Sequence, residues 1–152
     1  MGTLKEHYDN IIFRNFTCCA QFQRDYPYAL TSCKESIISR LQSKMAYQHV
    51  ADNTNKKLSG KNILVDMKIV DMRIASGSAR FWGGAFAGNS FMDVLLELWD
   101  ADTKEVVHRK VLSTTNNAFA AAWNFGASDR SLPSDFGTLI GEYIFRIVPS
   151  TK

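Results

Sequence analysis

Two stretches of the chain place apolar residues along one side of a helix, and this pattern is the strongest constraint on the fold. Residues three or four positions apart share a helix face, so each stretch is predicted to be a helix that buries one stripe. Pro133 precedes the second stretch and Pro149 follows it, as expected near helix ends. The stripes are Leu30, Cys33, Ile37, Leu41 and Met45 in the first helix, and Phe136, Leu139, Ile140, Tyr143, Ile144 and Ile147 in the second.

The start of the first helix has two interpretations. Pro27 suits a first helical turn, where the missing N–H of proline is not needed. Alternatively, Ser32 and Glu35 form a capping box, which starts the regular helix one turn later. The polar residues 18–27 are predicted to be a connection from the preceding strand.

Four runs of residues are predicted to be strands. Residues 8–17 are apolar on both sides, which indicates a strand buried on both faces. The run at 63–69 alternates and then changes phase at Val70, which favours a long strand with a bulge. The runs at 92–98 and 106–112 flank a polar turn and are predicted to form a hairpin.

Polar segments separate these elements. Residues 100–103 carry side chains that bond to their own backbone in turns. A calcium loop is the competing interpretation, but these residues lack the glycine and the distant glutamate of such a loop. Residues 51–60 are almost wholly polar and are predicted to be an exposed loop, whereas residues 116–126 fit a short helix with an asparagine cap.

This order of elements predicts a single α+β domain spanning residues 1–152. We expect a small mixed or antiparallel sheet of about four strands with two to three helices packed on one face, in the order β-α-β-β-β-α or with one more final helix. The apolar content of 45% suits one core in a chain of this length. Residues 8–148 are expected to form that core, and residues 1–7 an added or linker tail.

Charge and composition argue against two classes of partner. The 18 Lys and Arg exceed the 15 Asp and Glu, giving a formal net charge of +3, but these charges are scattered. Because no continuous basic surface is indicated, nucleic-acid binding is not expected. The longest nearly uncharged stretch, residues 81–92, is shorter than the roughly 20 residues of a spanning helix, so the chain is not expected to cross a membrane.

The three cysteines allow at most one internal disulfide bond. A bond from Cys18 or Cys19 to Cys33 would close a loop of about 15 residues and add on the order of 3 kcal/mol of stability in the chain-entropy model. The alternative is three reduced thiols, since cysteine is often a small core residue. Their spacing does not fit a zinc site.

No combination of residues indicates catalysis, and no catalytic, cofactor-binding or metal-binding residue is predicted. The histidines, His7, His49 and His108, belong to no active-site motif, and a Cys33–His49 pair is not favoured by the sixteen residues between them. A second set of candidates consists of carboxylates in predicted strands, which are expected to face solvent rather than to share a proton or a metal ion. They are Asp66, Asp71, Asp93 and Glu97.

The most unusual segment is the connection at residues 76–89, where aromatic residues alternate with glycines. It has the spacing of neither a phosphate loop nor a dinucleotide site. Arg80, Phe81, Trp82 and Phe86 are therefore candidates for contact with a partner protein or a membrane surface. The competing interpretation is a bulged hairpin that buries these aromatic residues in the core.

The same region carries a family likeness. Gly77-Ser78-Ala79-Arg80 with Gly84 and Gly88, followed by the apolar strand 94–98 and the turn 100–104, resembles the bacterial domain-of-unknown-function family 4410. The likeness is strongest over residues 77–104 and extends to about 8–147 through the order of elements. One departure is Thr103-Lys104, where family members commonly have Thr-Gly.

The resemblance implies a domain of the bacterial cell envelope, often made as a lipoprotein with a leader upstream. We interpret the Met1-Gly2 start as replacing such a leader, so membrane contact would come only through a lipid anchor, on the periplasmic side. The expected function is non-enzymatic: the loop at 81–89 or an exposed strand edge binds another envelope protein or a second copy. The alternative is a small enzyme or ligand-binding protein with a pocket between helix and sheet.

Overall fold

One mixed five-stranded sheet organises the part of the chain that the computed structural model describes, residues 4–52, 58–73, 91–114 and 132–151. The strands lie in the order β2-β1-β3-β4-β5; β1 is parallel to β2 and β3, whereas β3, β4 and β5 are successively antiparallel. The strands are β1 (Asn10–Thr17), β2 (His49–Asp52), β3 (Asn62–Arg73), β4 (Phe91–Asp100) and β5 (Val106–Ser113), and the helices are α1 (Ala20–Asp25), α2 (Ala29–Ser43) and α3 (Leu132–Ile147). The predicted α+β class is confirmed.

The core lies between one face of the sheet and the two long helices. Alternate residues of β3 and β4 point to this face and are buried together with the apolar stripes of α2 and α3 in a single cluster. Both long helices therefore pack on the same side of the sheet, as expected from their stripes. The strand residues are Ile63, Val65, Met67 and Ile69 in β3, and Met92, Val94, Leu96 and Leu98 in β4.

The first strand is buried on both faces over only half of its length. Residues 10–13 are buried, whereas from Arg14 onward the side chains are partly or fully exposed. The predicted bulge in β3 is confirmed, because the pairing with β4 shifts between Ile69 and Asp71. Val70 is the extra residue there and is 43% exposed, and Met72 resumes the buried phase.

Helix α2 begins without either of its predicted start signals. Its N-cap is Tyr28, with no side-chain cap, so Pro27 precedes the helix and the capping-box interpretation is wrong. The stripe also ends early: Met45 lies beyond the last helical residue, has a φ of 53° and is 78% exposed, which corrects its assignment to the buried face. The left-handed backbone at this position ends the helix and turns the side chain outward.

Two short elements correct the predicted connections. Residues 20–25, predicted as part of a connection, form the one-and-a-half-turn helix α1, none of whose residues is buried. Residues 49–52 form the edge strand β2, which overlaps the predicted loop 51–60 and raises the strand number to five. The predicted helix at 116–126 lies outside the described residues.

Two glycines let α3 approach α2 closely. A Cβ atom on Gly137 would lie 2.4 Å from the carbonyl oxygen of Cys33, and one on Gly141 would lie 2.9 Å from the Cβ of Arg40. Across the same contact, the hydroxyl groups of Ser36 and Ser134 are hydrogen-bonded at 2.8 Å. The helix pair therefore depends on the absence of side chains at these two positions.

The hairpin between β4 and β5 forms as predicted, and its turn is organised by one aspartate. Asp100 Oδ1 accepts hydrogen bonds from the backbone N–H groups of Asp102 and Thr103, at 2.8 and 3.1 Å. Lys104 takes a φ of 60°, the left-handed conformation that favours glycine. The hairpin therefore forms with lysine at a position whose backbone favours glycine.

The same aspartate connects the turn to the start of the chain. Tyr8 is buried, and its hydroxyl donates to Asp100 Oδ2 at 2.8 Å. Burial alone would raise the pKa of Asp100, but hydrogen bonds from Tyr8, Thr103 and Asp102 and the charge of Lys61 outweigh it and hold that pKa below its usual value. The backbone N–H of Leu4 donates to Ile147 at 2.8 Å, so residues 4–7, predicted as a tail, lie beside the end of α3.

Candidate functional site

The loop predicted to bind a partner lies outside the described residues. This applies to Arg80, Phe81, Trp82 and Phe86, so their role stays a prediction. The strand residues that flank the segment, Arg73 and Phe91, are directly paired in the sheet.

The candidate carboxylates form two cross-strand pairs, Asp66 opposite Glu97 and Asp71 opposite Asp93, and each carboxylate also has a local partner. Asp66 accepts two hydrogen bonds from Arg14, at 3.1 and 2.6 Å, and Glu97 lies 3.7 Å from Arg109 across the strand pair. Asp93 accepts from the Ser113 hydroxyl at 2.5 Å, and Asp71 accepts from the backbone N–H of the next residue. Among the described residues, no group of three or more His, Cys, Asp or Glu side chains could hold a metal ion.

The cysteines do not form an activated nucleophile in this part of the chain. Cys33 lies on the buried face of α2, and burial raises the pKa of its thiol well above the usual range. Cys18 is partly exposed with its pKa also raised by burial, and Cys19 is exposed. All three are free thiols, and the disulfide bond to Cys33 stays a prediction.

One histidine joins the last strand to the last helix. His108 Nε2 lies 2.6 Å from the hydroxyl oxygen of Tyr143, and the Lys110 ammonium lies 5.9 Å from the centre of the same tyrosine ring. Burial, with a smaller contribution from Lys110, lowers the pKa of His108. A neutral imidazole in a hydrogen bond to a buried tyrosine is suited to holding β5 against α3.

The described surface includes two open grooves of ligand size, and the second lies between the C-terminal end of α2 and the edge strand β2. One, of about 460 Å³, runs over the α2–α3 contact and is lined mainly by serine and threonine hydroxyls, with Glu35 and Arg40. The other, of about 440 Å³, lies beside β2 and includes Met45, His49 and Val50. A ligand or active site needs convergent polar groups in a concave pocket. Of these two grooves, the first contains no histidine and the second contains one, His49, and neither contains Asp66, Asp71, Asp93 or Glu97.

The outer edge of β5 is the most apolar exposed element of the described chain. Val106, Val107 and Val111 are 41%, 36% and 54% exposed. Within residues 4–52, 58–73, 91–114 and 132–151, β5 pairs with β4 on one side and with no strand on the other. An unpaired strand edge with exposed valines is a surface to which another strand can add.

The opposite edge of the sheet is β2, and it is short. It pairs in parallel with β1 on one side, and no other described strand pairs with it. Its side chains alternate: Val50 pairs with Ile11 on the helix-bearing side, and Ala51 pairs with Ile12 on the other. The Asp52 side chain is 40% exposed and lies 3.0 Å from the ammonium of Lys34.

The sequence predicts a binding strand edge only in general terms and does not identify β2 or β5 as that edge. A signal for β5 was present: Val111 and Leu112 are adjacent apolar residues in a strand, and only one of two neighbours can face the core. For β2 there was no comparable signal, because a four-residue strand with polar ends has no clear period.

Comparison with known proteins establishes the fold. No protein-family model matches the chain, and no curated protein matches it in sequence. The PelC dodecamer from Paraburkholderia phytofirmans is similar in structure, with a TM-score of 0.63 and 14% identity over 99% of this chain and 96% of that one. A single-residue variant of that dodecamer, in another crystal form, has a TM-score of 0.57 and 12% identity over 99% and 94%.

Another crystal structure is also similar in fold. It is protein XCC0632 of the DUF330 family, from Xanthomonas campestris, with a TM-score of 0.54 and 11% identity over 93% of this chain and 85% of that one. At these identities the likeness concerns the fold alone. The described part of the chain contains no helix long and apolar enough to cross a membrane.

Proposed function

We propose that this chain is a non-enzymatic protein-binding module of the bacterial envelope, and that it binds a second copy of itself through the edge of β5. The observation that carries the proposal is the set of three exposed valines on a strand edge with no described partner. The envelope assignment is supported by the sequence resemblance to family 4410.

The hydrogen bonds and ion pairs of the described polar side chains favour binding over catalysis. Among the described residues, Asp66 and Asp93 accept hydrogen bonds, Glu97 forms an ion pair, and burial raises the pKa of the Cys33 thiol. A catalytic nucleophile needs a base within hydrogen-bond reach and a third group that orients it. We therefore propose binding rather than catalysis.

Strand addition at β5 would satisfy backbone groups and cover apolar surface at the same time. An added strand pairs with the free N–H and C=O groups of the edge, and side chains on both strands supply selectivity. Self-association is supported by the structural likeness to a protein that assembles as a dodecamer, since the fold is compatible with oligomers.

The test is the mass of the particle in solution. We expect the full chain to be oligomeric by light scattering across a dilution series, and the double variant Val107→Lys, Val111→Lys to be monomeric, because lysines on an edge oppose strand addition. The matched control is Val70→Lys, since Val70 is also 43% exposed but lies within β3, between two paired neighbours.

Folding must be unchanged for this comparison to count. Substitutions at exposed positions usually change the free energy of unfolding by no more than about 0.5 kcal/mol. Thermal unfolding of each variant checks this. A monomeric wild-type chain at all concentrations, or a double variant that assembles like the wild type, would contradict the proposal.

The envelope assignment has its own test. The protein isolated from its source is expected to carry a covalent lipid, which the intact mass would reveal. An unmodified chain recovered from the cytosolic fraction would contradict this part of the proposal and leave the self-association unaffected.

A further inference from the structure

We infer that the two edges of the sheet bind each other head to tail, so that β5 of one copy adds in parallel beside β2 of the next. This inference rests on the proposed self-association and names the surface that receives β5. Its first support is direction: β5 is antiparallel to β4 and β4 to β3, while β3 and β2 both run parallel to β1. Strands β2 and β5 therefore point the same way, and a neighbour can extend the sheet with its helices on the same side.

The second support is the charge of the two edges. β5 contains Arg109 and Lys110 and no carboxylate, whereas β2 contains Asp52 and neither lysine nor arginine. Pairing two β5 edges around a twofold axis would bring like charges opposite each other, which is destabilising. Pairing β5 with β2 brings opposite charges together instead.

The third support is the face on which each charge lies. Lys110 pairs with Leu96, so its side chain is on the helix-bearing side, where its ammonium lies near the Tyr143 ring. Asp52 pairs with Phe13 and contacts Lys34 of α2, which places it on the same side. The two charges can therefore meet when the helices of both copies lie on one side of the extended sheet.

One register satisfies the apolar and the charged residues together. If Val111 lies beside Ala51 of the next copy, both side chains are on the face away from the helices. Lys110 then lies beside Val50, so its aliphatic stem can cover that valine and its ammonium can reach Asp52, two residues further along the same face. Because β5 and β2 are different surfaces, the contact is heterologous and repeats from copy to copy.

The test is a charge exchange. Asp52→Lys and Lys110→Asp, each alone, are expected to weaken association about tenfold or more in dilution experiments, and the double variant to restore it to within a few-fold of wild type. Restoration requires that residues 52 and 110 of different copies meet, because a change in one copy's fold would not be reversed by the second substitution. Circular dichroism and thermal unfolding establish that each variant is folded.

A cysteine experiment tests the register independently. Ala51→Cys and Val111→Cys are made in separate chains, both carrying Cys18→Ser and Cys19→Ser, and the chains are mixed and oxidised. A mixed disulfide dimer, with none from either chain alone, is the expected result. Dimers from the Val111→Cys chain alone would indicate that two β5 edges pair and would overturn the inference.

The two proposals fail in different ways. If the lysine substitutions on β5 abolish assembly but the charge exchange restores nothing and no mixed disulfide forms, the head-to-tail contact is wrong and self-association through β5 stands. If the wild-type chain does not associate at all, the proposed function is wrong.

Discussion

The middle of the sheet buries its apolar side chains, whereas its two edges leave some of theirs exposed. On the helix-bearing face, β3 and β4 bury alternate residues on each side of the β3 bulge, and these residues form one cluster with those of α2 and α3. At one edge, three valines of β5 are exposed. At the other edge, the groove beside β2 is open and Met45, which lines it, is exposed. The difference indicates that the centre of the sheet contributes most to the stability of the described fold, whereas its edges leave apolar side chains exposed.

The largest expected effect tests the central half of this comparison. Leu96 is fully buried in β4, and its neighbour Leu95 points to the other face and is partly exposed. We expect Leu96→Ala to lower the free energy of unfolding by about 2–5 kcal/mol, through lost burial and the cavity left behind. Leu95→Ala is the matched control and should cost clearly less in the same chemical denaturation experiment. Equal losses would show that the two faces are equally packed.

The helix contact above the sheet gives the next effect. Gly137→Ala places a methyl group against the Cys33 carbonyl, so the helices must separate. We expect a loss of about 1–3 kcal/mol in the free energy of unfolding, as for other overpacked sites. Thr138→Ala, at the adjacent position on the groove, is the control, and its effect on denaturant midpoint should be small. A Gly137→Ala variant as stable as wild type would mean that this contact is loose.

The boundary between the two regions is expected to lose stability in acid. His108, on β5, has its pKa lowered in the folded state by burial and by Lys110, so the unfolded chain binds a proton more readily. Stability from this neutral histidine is therefore complete above the unfolded pKa of about 6.5 and is lost as the pH falls below it. We expect His108→Gln to flatten the decline in stability between neutral and mildly acidic pH. An unchanged pH profile would assign the acid sensitivity to other groups.

The smallest effect is a gain at the tip of the β4–β5 hairpin. Lys104 has a left-handed backbone, in which a Cβ atom is strained, so Lys104→Gly is expected to stabilise the fold by up to about 1 kcal/mol. Lys104→Ala removes the same charge but keeps the Cβ atom and should give no such gain in thermal unfolding. If both variants behave alike, charge rather than backbone strain dominates at this turn.

Strongly periodic elements could be predicted, and weakly periodic ones could not. The stripes of α2 and α3, the bulge in β3 and the β4–β5 hairpin follow from side-chain spacing that only one secondary structure satisfies. Met45 was placed on the buried stripe by its spacing, but the helix ends at Ser43 and the spacing no longer applies. Strand β2 exists because β1 offers it a pairing partner, which is a property of the folded sheet.

The edge strands β5 and β2 could likewise be predicted only in part from the sequence. The exposed valines and the charges of β5 are visible in the sequence, and one of two adjacent apolar residues in a strand must face outward. That β5 is an edge, however, depends on the strand order, and so does the position of β2 at the opposite edge with Asp52 on the helix-bearing side.

By itself, the sequence determined the fold class, the two buried helix stripes and the alternation of the long strands, because these depend on contacts between near neighbours in the chain. Only the tertiary structure decided which strands are edges, which apolar residues remain exposed and which charges share a face. These properties depend on pairings between residues far apart in sequence, such as Phe13 with Asp52 and Tyr8 with Asp100, and no local pattern encodes them.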